Sequence, residues 1–501
     1  MPGEGPVQAL VGKLSGSGIL VSSDVSPIDI EGVDTNALAT RIIESLELIK
    51  GLRIANKELV AKIKESMKTE KTPDPIEYVP KADFSAYAAE VEANYKISTK
   101  ETEVSGIGVD GFVTYFKDRL SKVREFISPQ RIGMTNMASS MESLKNFSDG
   151  REITVIGMVL NKIVTKNGNI MAVLDDETGE CKVIFMNGTS QKAKLLFEKA
   201  RHIVNDEVMA VSGKISGPFI IASELIWPDV PIKQKKSSEE DVAIAFISDP
   251  HVGSKLFMEK NFVNFIKWLN GGYGERKDLA GKVKYLVIGG DVVDGIGIYP
   301  NQDRDLAVLD IYSQYQIFMN MISAVPDHIQ TFIIPGNHDA VQRAEPQPAL
   351  TPSLLRDFRK DNIHMIPNPS FLTLHGTDVL VYHGTSLDSV IRNIPGTSYA
   401  APDTAMIEVL KRRHLSPIYG GNIIVPSKKD NLVIDKVPDI LHMGHVHKNC
   451  LQDYHGIGIL NSGTWQARTD FQVLQGHIPT PCILTIYETK HNRFSTVNFD
   501  R

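Results

Sequence analysis

The spacing of apolar residues changes along the chain. Before residue 130, apolar residues recur every three or four positions over 34–68 and 110–128, which predicts helices. Gly51 is expected to break or bend the first, so the pattern fits one or two helices. From Arg151 the period becomes two, which predicts five strands with a helix over 191–200 before the fourth. The predicted strands are 153–159, 171–176, 181–185, 208–214 and 219–222.

After residue 241 the pattern becomes short, wholly apolar segments that each run into polar residues. Such segments are typical of buried parallel strands in an α/β architecture. Helical segments near 260–269 and 306–322 lie between them. Because parallel strands present their carboxyl ends at one edge, the polar residues are expected to share one rim. The predicted strands are 243–248, 285–288, 331–334, 379–382 and 439–443.

These changes divide the chain into four regions. Residues 1–75 are predicted to form a helical N-terminal module, which fits a small structural bundle and a docking module equally well. Residues 76–149 are predicted to be a linker with an amphipathic helix. Residues 150–230 are predicted to form an OB-like barrel, and 241–501 an α/β domain. The charge-rich stretch 232–241 is predicted to be a solvated hinge between the last two.

OB barrels often bind single strands of nucleic acid through aromatic side chains in a basic groove. The candidate aromatic residues here are Phe185, Phe219 and Trp227. Because aromatic side chains are usually buried, we expect these three to belong to the core. The barrel is therefore expected to be a structural support or a protein interface.

The composition of the chain limits its class and its possible partners. The chain has 501 residues, of which 42% are hydrophobic and 23% charged, as in soluble globular proteins. Its net charge of −6 means that a basic groove for nucleic acid would have to be local. The three cysteines form no CxxC pair, which fits a reducing cytoplasm. No segment approaches the roughly 18 apolar residues of a membrane span, so we expect no membrane partner.

Five polar clusters collect metal-binding side chains in the second half of the chain. They supply carboxylates, imidazoles and one amide oxygen, a set that suits manganese well, with iron, zinc or magnesium as alternatives. Two closely spaced ions can clamp both the attacking and the leaving oxygen of a phosphate ester, so the clusters indicate a phosphoesterase. The clusters are Asp249-Pro250-His251, Gly290-Asp291-Val292-Val293-Asp294, Gly336-Asn337-His338-Asp339, His383-Gly384 and Gly444-His445-Val446-His447.

The spacing within the clusters predicts which of their side chains lie on the same face. Asp249 and His251 are two residues apart, and an extended segment would put both side chains on one face. His445 and His447 share this spacing. We also expect Asp339 to brace the turn that carries the third cluster.

The clusters resemble those of the calcineurin-like metallophosphoesterase superfamily over about residues 241–500. The resemblance implies a sandwich of two sheets flanked by helices. It also implies that Asp291 bridges two metals, that His338 is a catalytic imidazole outside the ligand set, and that Asp294 orients His338 by a hydrogen bond. The implied ligands are Asp249, His251, Asp291 and His447 for the first metal, and Asp291, Asn337, His383 and His445 for the second.

Longer stretches are similar to the small subunits of archaeal family-D DNA polymerases, in which an OB-like barrel precedes the phosphoesterase domain. This resemblance implies a metal-dependent 3′–5′ exonuclease that proofreads single-stranded or frayed 3′ ends of DNA. It also implies a heterodimer with a large catalytic polymerase subunit. A sliding clamp is a further candidate partner, although 496–501 contains no convincing clamp-binding peptide. The similar stretches are 294–300, 335–340, 345–348, 444–449, 461–466 and 479–481.

Two alternatives stay open. The first is a scaffold that docks the large subunit and retains only vestigial metal binding, and the intact ligands argue against it. The second is a phosphomonoesterase or cyclic-nucleotide enzyme of the same superfamily. The predicted barrel and the polymerase-subunit stretches argue against that function.

Overall fold

The computed structural model describes residues 6–47, 53–69, 84–100, 102–104, 108–127, 137–356 and 358–500. Among these residues, no helix combines the length and the apolar character that crossing a membrane would require.

Three helices and a small parallel sheet form the N-terminal module. Leu10, Leu38, Ile42 and Val60 are buried in one shared core, which explains the helical spacing of apolar residues. The break expected at Gly51 lies outside the described residues. The elements are α1 (Pro6–Gly16), β1 (Ile19–Val21), α2 (Thr35–Glu47), β2 (Arg53–Ala55) and α3 (Lys57–Thr69).

A closed five-stranded barrel follows, in which the first strand pairs with the second and the fourth, and the fifth lies between the third and the fourth. Its strands are longer than the sequence predicted, because hydrogen-bonded pairing continues past the apolar residues. Phe185 is fully buried in the barrel core, as expected. Phe219 is half-buried, and so is Trp227, whose indole nitrogen donates to Glu207. The elements are β4 (Glu152–Val164), β5 (Ile170–Asp176), β6 (Gly179–Phe185), α6 (Gln191–Arg201), β7 (Val208–Ser216) and β8 (Phe219–Ile226).

The rest of the chain builds two six-stranded sheets, and one edge strand comes from far upstream. The strands are β3 (Tyr95–Ser98), β9 (Ala243–Ile247), β10 (Val283–Ile288), β11 (Gln330–Ile333), β12 (Ile363–Met365), β13 (Ser370–Leu374), β14 (Thr377–Val381), β15 (Ile440–Met443), β16 (Asn449–Tyr454), β17 (Ile457–Ser462), β18 (Ile483–Glu488) and β19 (Arg493–Asn498). The first sheet has the order β12-β11-β10-β9-β18-β19, and the second β16-β17-β15-β14-β13-β3.

The two sheets pack face to face and helices cover their outer faces. Phe246 and Val287 of the first sheet share a core with Leu372 and Leu460 of the second. The predicted sandwich of two sheets flanked by helices is therefore present. The helices outside the barrel and the N-terminal module are α4 (Tyr87–Glu90), α5 (Val109–Phe126), α7 (Glu259–Leu269), α8 (Lys277–Ala280), α9 (Ile311–Ser323), α10 (Leu387–Asn393), α11 (Pro402–Arg412) and α12 (Asp470–Leu474).

The direction of the strands determines where the five polar clusters lie. Strands β9, β10, β11 and β12 are parallel, as are β14, β15 and β17. The loops after β9, β10, β11, β14 and β15 carry the five polar clusters, so the expectation of one shared rim is confirmed.

The segments around the barrel are tied to the α/β domain. Strand β3, inside the region predicted to be a linker, pairs with β13, with Ile97 opposite Leu372. The stretch 232–241 has no helix or strand, but Lys233 forms an ion pair with Asp439 at 2.8 Å. The stretch thus lies against the α/β domain and is not a free hinge.

A buried ion pair holds α5 between the barrel and the α/β domain. Arg119 is 1% exposed, and its guanidinium donates to Asp430 at 2.7 Å. The same guanidinium donates to the Asp206 carbonyl of the barrel at 3.1 Å. Tyr115 donates to the other Asp430 oxygen at 2.7 Å. This network fixes the barrel against the α/β domain.

Replacing Arg119 with alanine should lower the free energy of unfolding by about 3–5 kcal/mol, because Asp430 would remain buried without its charged partner. The matched control is Lys117→Ala on the same helix. Lys117 pairs with Glu177 of the barrel at 2.9 Å, but both side chains are more than half exposed. That change should cost at most about 1 kcal/mol. Denaturant unfolding measures both, and equal losses would contradict the role of the buried pair.

Candidate metal centre

All seven predicted ligands meet at the rim between the two sheets. Asp249, His251 and His447 place their ligand atoms within 4.8 Å of one another. Asp249, Asp291 and His383 do the same. Asn337 Oδ1 lies 2.9 Å from His383 Nε2 and 3.0 Å from His445 Nδ1. The cluster is buried, since Asp249 and His383 are 0% exposed.

The backbone is left-handed at five of the seven predicted ligands. Asp249, His251, Asp291, His445 and His447 all have φ between 49° and 69°. The expectation that the paired ligands lie on extended segments is therefore wrong. Neighbouring loops hold the turns instead, because Asp249 N donates to Gly290 O at 3.0 Å and His251 N to Asp291 O at 3.1 Å. Such backbone is costly for residues other than glycine, and it clusters at functional sites.

Two glycines make room for the ligands. A Cβ atom on Gly336 would lie 2.2 Å from Asp291 Oδ1. A Cβ atom on Gly290 would lie 2.8 Å from His383 Nδ1, and Gly290 also has φ of 96°. Glycine is required at both positions because the ligands approach the backbone so closely.

Three of the four imidazoles have one nitrogen bonded to an acceptor on the outer side of the cluster. A carbonyl or a carboxylate can only accept, so that ring nitrogen carries the proton. The other nitrogen faces the centre and offers a lone pair there when the ring is neutral, as in metal-ligating histidines. The outer bonds are His251 Nδ1 to Asp294 Oδ1 at 3.1 Å, His383 Nδ1 to Gly289 O at 2.8 Å, and His445 Nε2 to Asp388 Oδ2 at 3.2 Å.

The inner nitrogens face oxygens that can only accept. His383 Nε2 lies 3.3 Å from Asp291 Oδ2, and His251 Nε2 lies 3.8 Å from both Asp249 Oδ1 and Asp291 Oδ2. Such a buried cluster needs positive charge, which either protonated imidazoles or a cation between neutral imidazoles and the carboxylates would supply. The donor set therefore fits divalent metal ions.

His447 differs from the other three imidazoles in its outer partner. Its Nδ1 lies 2.9 Å from the amide nitrogen of Gln472. Its Nε2 points to the centre, 3.0 Å from His251 Nε2 and 3.3 Å from Asp249 Oδ1.

The electrostatics of the site favour positive charge. Burial alone would lower the pKa of His383, but the carboxylates of Asp291 and Asp249 outweigh it and raise that pKa to about 10. Burial would raise the pKa of Asp291, but His383 and His338 hold it well below its usual range. The carboxylates thus stay ionised inside the protein and attract cations.

His338 lies beside the ligands. Its backbone N–H donates to Asp291 Oδ1, and its Nδ1 donates to the backbone carbonyl of Asp294, both at 2.8 Å. The expectation that the Asp294 side chain orients His338 is wrong, because that carboxylate bonds to His251 and accepts from Gln302 at 3.0 Å. The Asp294 backbone orients His338, and its side chain orients a ligand.

Several supporting residues escaped the sequence analysis. Asp388 accepts from Tyr399 at 2.8 Å while it holds His445. Gln466 donates to Asp294 at 3.1 Å. Asp388 stands in no motif, Gln466 ends the similar stretch 461–466 without an expected role there, and only the folded chain brings both to the site. The prediction for Asp339 is confirmed, because its carboxylate accepts from Gly336 N at 2.8 Å.

The chain is similar to a known protein family and to solved structures. The family model for the B subunits of DNA polymerases alpha and epsilon matches residues 244–450. One solved structure, titled as a novel archaeal phosphodiesterase, is 13% identical, covers 51% of this chain and 99% of its own, and gives a TM-score of 0.25. A zinc-complexed Vps29 from Entamoeba histolytica is 14% identical, covers 52% and 100%, and gives 0.24.

Curated relatives share far more sequence with this chain. The DNA polymerase II small subunit of Archaeoglobus fulgidus is 41% identical and aligns over 76% of this chain and 75% of its own length. The subunit of the same name from Methanothermobacter thermautotrophicus is also 41% identical, over 74% and 76%. The Methanocaldococcus jannaschii subunit is 39% identical, over 86% and 70%. Identity at this level over most of both chains shows that the chain belongs to the family of archaeal DNA polymerase II small subunits.

Proposed function

We propose that this chain is the 3′–5′ exonuclease subunit of a two-subunit, family-D replicative DNA polymerase, working in the cytoplasm. The observation that carries the proposal is the set of inward imidazole nitrogens that face the oxygens of Asp249, Asp291 and Asn337. A scaffold has no need to bury acceptors against one another in this way. The relatives' shared name supports the polymerase context.

The proposed ligands of the two metals are those that the superfamily resemblance implies, with Asp291 shared between both. Manganese is the proposed metal, because carboxylate, imidazole and amide-oxygen donors suit it, with iron, zinc or magnesium as alternatives. When bound, the ions would polarise the phosphate and lower the pKa of an attacking water. The proposed ligands are Asp249, His251, Asp291, Asn337, His383, His445 and His447.

The proposed role of His338 is to act on the leaving oxygen. Because its Nδ1 donates to the Asp294 carbonyl, Nε2 is the atom left to face a substrate. In the imidazolium form, Nε2 would donate a proton to the 3′ oxygen of the penultimate nucleotide as its bond to phosphorus breaks. Water supplies the new oxygen, and the product is a nucleoside 5′-monophosphate.

Unpaired 3′ ends are the proposed substrate. A paired end must first be unstacked and unpaired, which costs free energy that a mismatched end does not require. The barrel, which we assign as OB-like, is proposed to be a support and a protein interface. Of its three candidate aromatic side chains, Phe185 is buried, Phe219 is half-buried and Trp227 packs under the Arg412 guanidinium, which favours support over stacking.

The proposed activity should appear as stepwise 3′ shortening of a mismatched primer–template in the presence of manganese. Asp291→Asn should abolish it, because the shared carboxylate becomes a neutral amide. His338→Ala should lower kcat about 10²–10⁴-fold, the usual contribution of one acid–base group. If wild type with the large subunit added leaves the primer intact, the chain is the scaffold instead. Turnover of phosphomonoesters but not of DNA would favour another superfamily activity.

Asp388 should matter through His445, which it holds by a hydrogen bond. Asp388→Asn should weaken manganese binding about 10–100-fold, as loss of such outer partners does. Asp278→Asn is the matched control, since Asp278 also lies in the first turn of a short helix, away from the site. Calorimetric titration measures both affinities. Equal affinities in the two variants would show that Asp388 does not position a ligand.

A large catalytic polymerase subunit is the proposed partner, with a sliding clamp as a further candidate. The fixed orientation of barrel and α/β domain, held by Arg119 and Asp430, would present both to that partner as one surface. Co-purification of the full chain with the large subunit should give a heterodimer. Separate elution of the two proteins at micromolar concentration would contradict the assignment.

A further inference from the structure

A cavity of about 820 Å³ opens from the candidate metal centre. Asn337 and His338 form part of its lining, so it begins where the proposed reaction takes place. Its volume lies within the roughly 300–1,000 Å³ typical of small-ligand sites. None of the seven proposed metal ligands except Asn337 lines it. The cavity is therefore a space beside the metals and not the metal site itself.

The N-terminal module forms one wall of this cavity. Leu59 and Ile63 of α3 face the loop 295–304, which follows Asp294. Arg41 of α2 forms an ion pair with Asp310 at 2.7 Å, and the Arg41 side chain is only 16% exposed. These contacts attach the module to the α/β domain next to the site.

Tyr299 provides an aromatic ring in the opposite wall. The residue is 40% exposed, and its hydroxyl donates to Asp305 at 3.1 Å. This bond holds the ring in place before any ligand arrives. Ile296, in the same loop, is 46% exposed and also lines the cavity. An exposed, fixed ring in a cavity next to a phosphoesterase site is suited to stacking on a nucleobase.

Arg343 provides positive charge at the same place. It is exposed, and its guanidinium donates to the carbonyls of Gly297 and Ile298 at 3.4 and 3.5 Å. Within the described parts of the chain, it forms no ion pair with a carboxylate, whereas Arg41 and Lys62 are paired with Asp310 and Asp303. The Arg343 guanidinium can therefore bind a phosphate without breaking an ion pair.

We infer that this cavity binds the penultimate nucleotide of the DNA strand, whose 3′ oxygen leaves in the reaction. The base would stack on Tyr299, and Arg343 would contact a backbone phosphate of the same strand. The position of His338 decides the side, because this proposed acid packs against the ligand His251, with 4.7 Å between ring centroids, and also lines the cavity. This inference rests on the proposed exonuclease function, and it gives the N-terminal module a part in binding the substrate.

Direct binding tests the inference separately from cleavage. The probe is a fluorescent single-stranded oligothymidylate, titrated with the full chain and followed by anisotropy. Tyr299→Ala should weaken binding about 5- to 150-fold, the range that base stacking on an aromatic side chain supplies. Tyr299→Phe should restore wild-type affinity, because the ring remains. Arg343→Ala should weaken binding and make the slope of log K against log salt shallower by about 0.7.

Tyr87→Ala is the matched control. Tyr87 is 38% exposed and its hydroxyl donates to Glu240 at 2.8 Å, so it resembles Tyr299 in exposure and hydrogen bonding. It lies in α4, whose Ala88 contacts Gly281 near the amino end of β10, away from the site. Its removal should leave DNA binding unchanged.

The outcomes separate the two proposals. Equal affinity of wild type and Tyr299→Ala would overturn the cavity assignment, even if wild type degrades the primer. Absence of DNA binding by wild type would overturn it as well. A loss specific to Tyr299→Ala and Arg343→Ala would support the assignment. If that loss occurred without any cleavage by wild type, the proposed exonuclease activity alone would fail.

Discussion

The centre of this structure is a buried cluster of carboxylates and imidazoles. Carboxylates of Asp249 and Asp291 lie opposite the inner nitrogens of His251 and His383. Without positive charge between them, this arrangement would cost free energy, because buried acceptors would lose water and gain no donor. The surrounding hydrogen bonds to Asp294, Gly289 and Asp388 fix the imidazoles in this orientation. The buried cluster therefore requires positive charge, and its donor set fits divalent cations.

That requirement explains why the ligands stand on strained loops. Left-handed backbone at a residue such as His445 costs roughly 1–3 kcal/mol and persists only where the surroundings enforce it. Here the two packed six-stranded sheets, together with the closely packed Gly290 and Gly336, hold these loops in that conformation. The buried pair of Arg119 and Asp430 then fixes the barrel to the same rigid body. The α/β core therefore holds the candidate metal ligands in place and also carries the barrel in a fixed orientation.

Much of the site could be predicted from sequence, because apolar strands that end in Asp, Asn or His are a local pattern. Asp249 and His383 were identified in this way, and the barrel strands followed from period two. Other features depend on contacts between distant parts of the chain. Strand β3 has only one half-buried apolar residue, Ile97, and it becomes a strand by pairing with β13. Likewise, Asp388 reaches His445 only after the chain has folded, and α3 forms a wall of the cavity only then.

Calorimetric titration of the metal-free full chain with manganese tests the central claim most directly. If the buried acceptors require cations, the chain should bind about two ions, as a two-metal phosphoesterase site does. Asp291→Asn should lose both ions or bind them far more weakly, because this carboxylate is the proposed shared ligand. Wild-type binding that is absent, or that Asp291→Asn leaves unchanged, would contradict the claim that the site is built around metal ions.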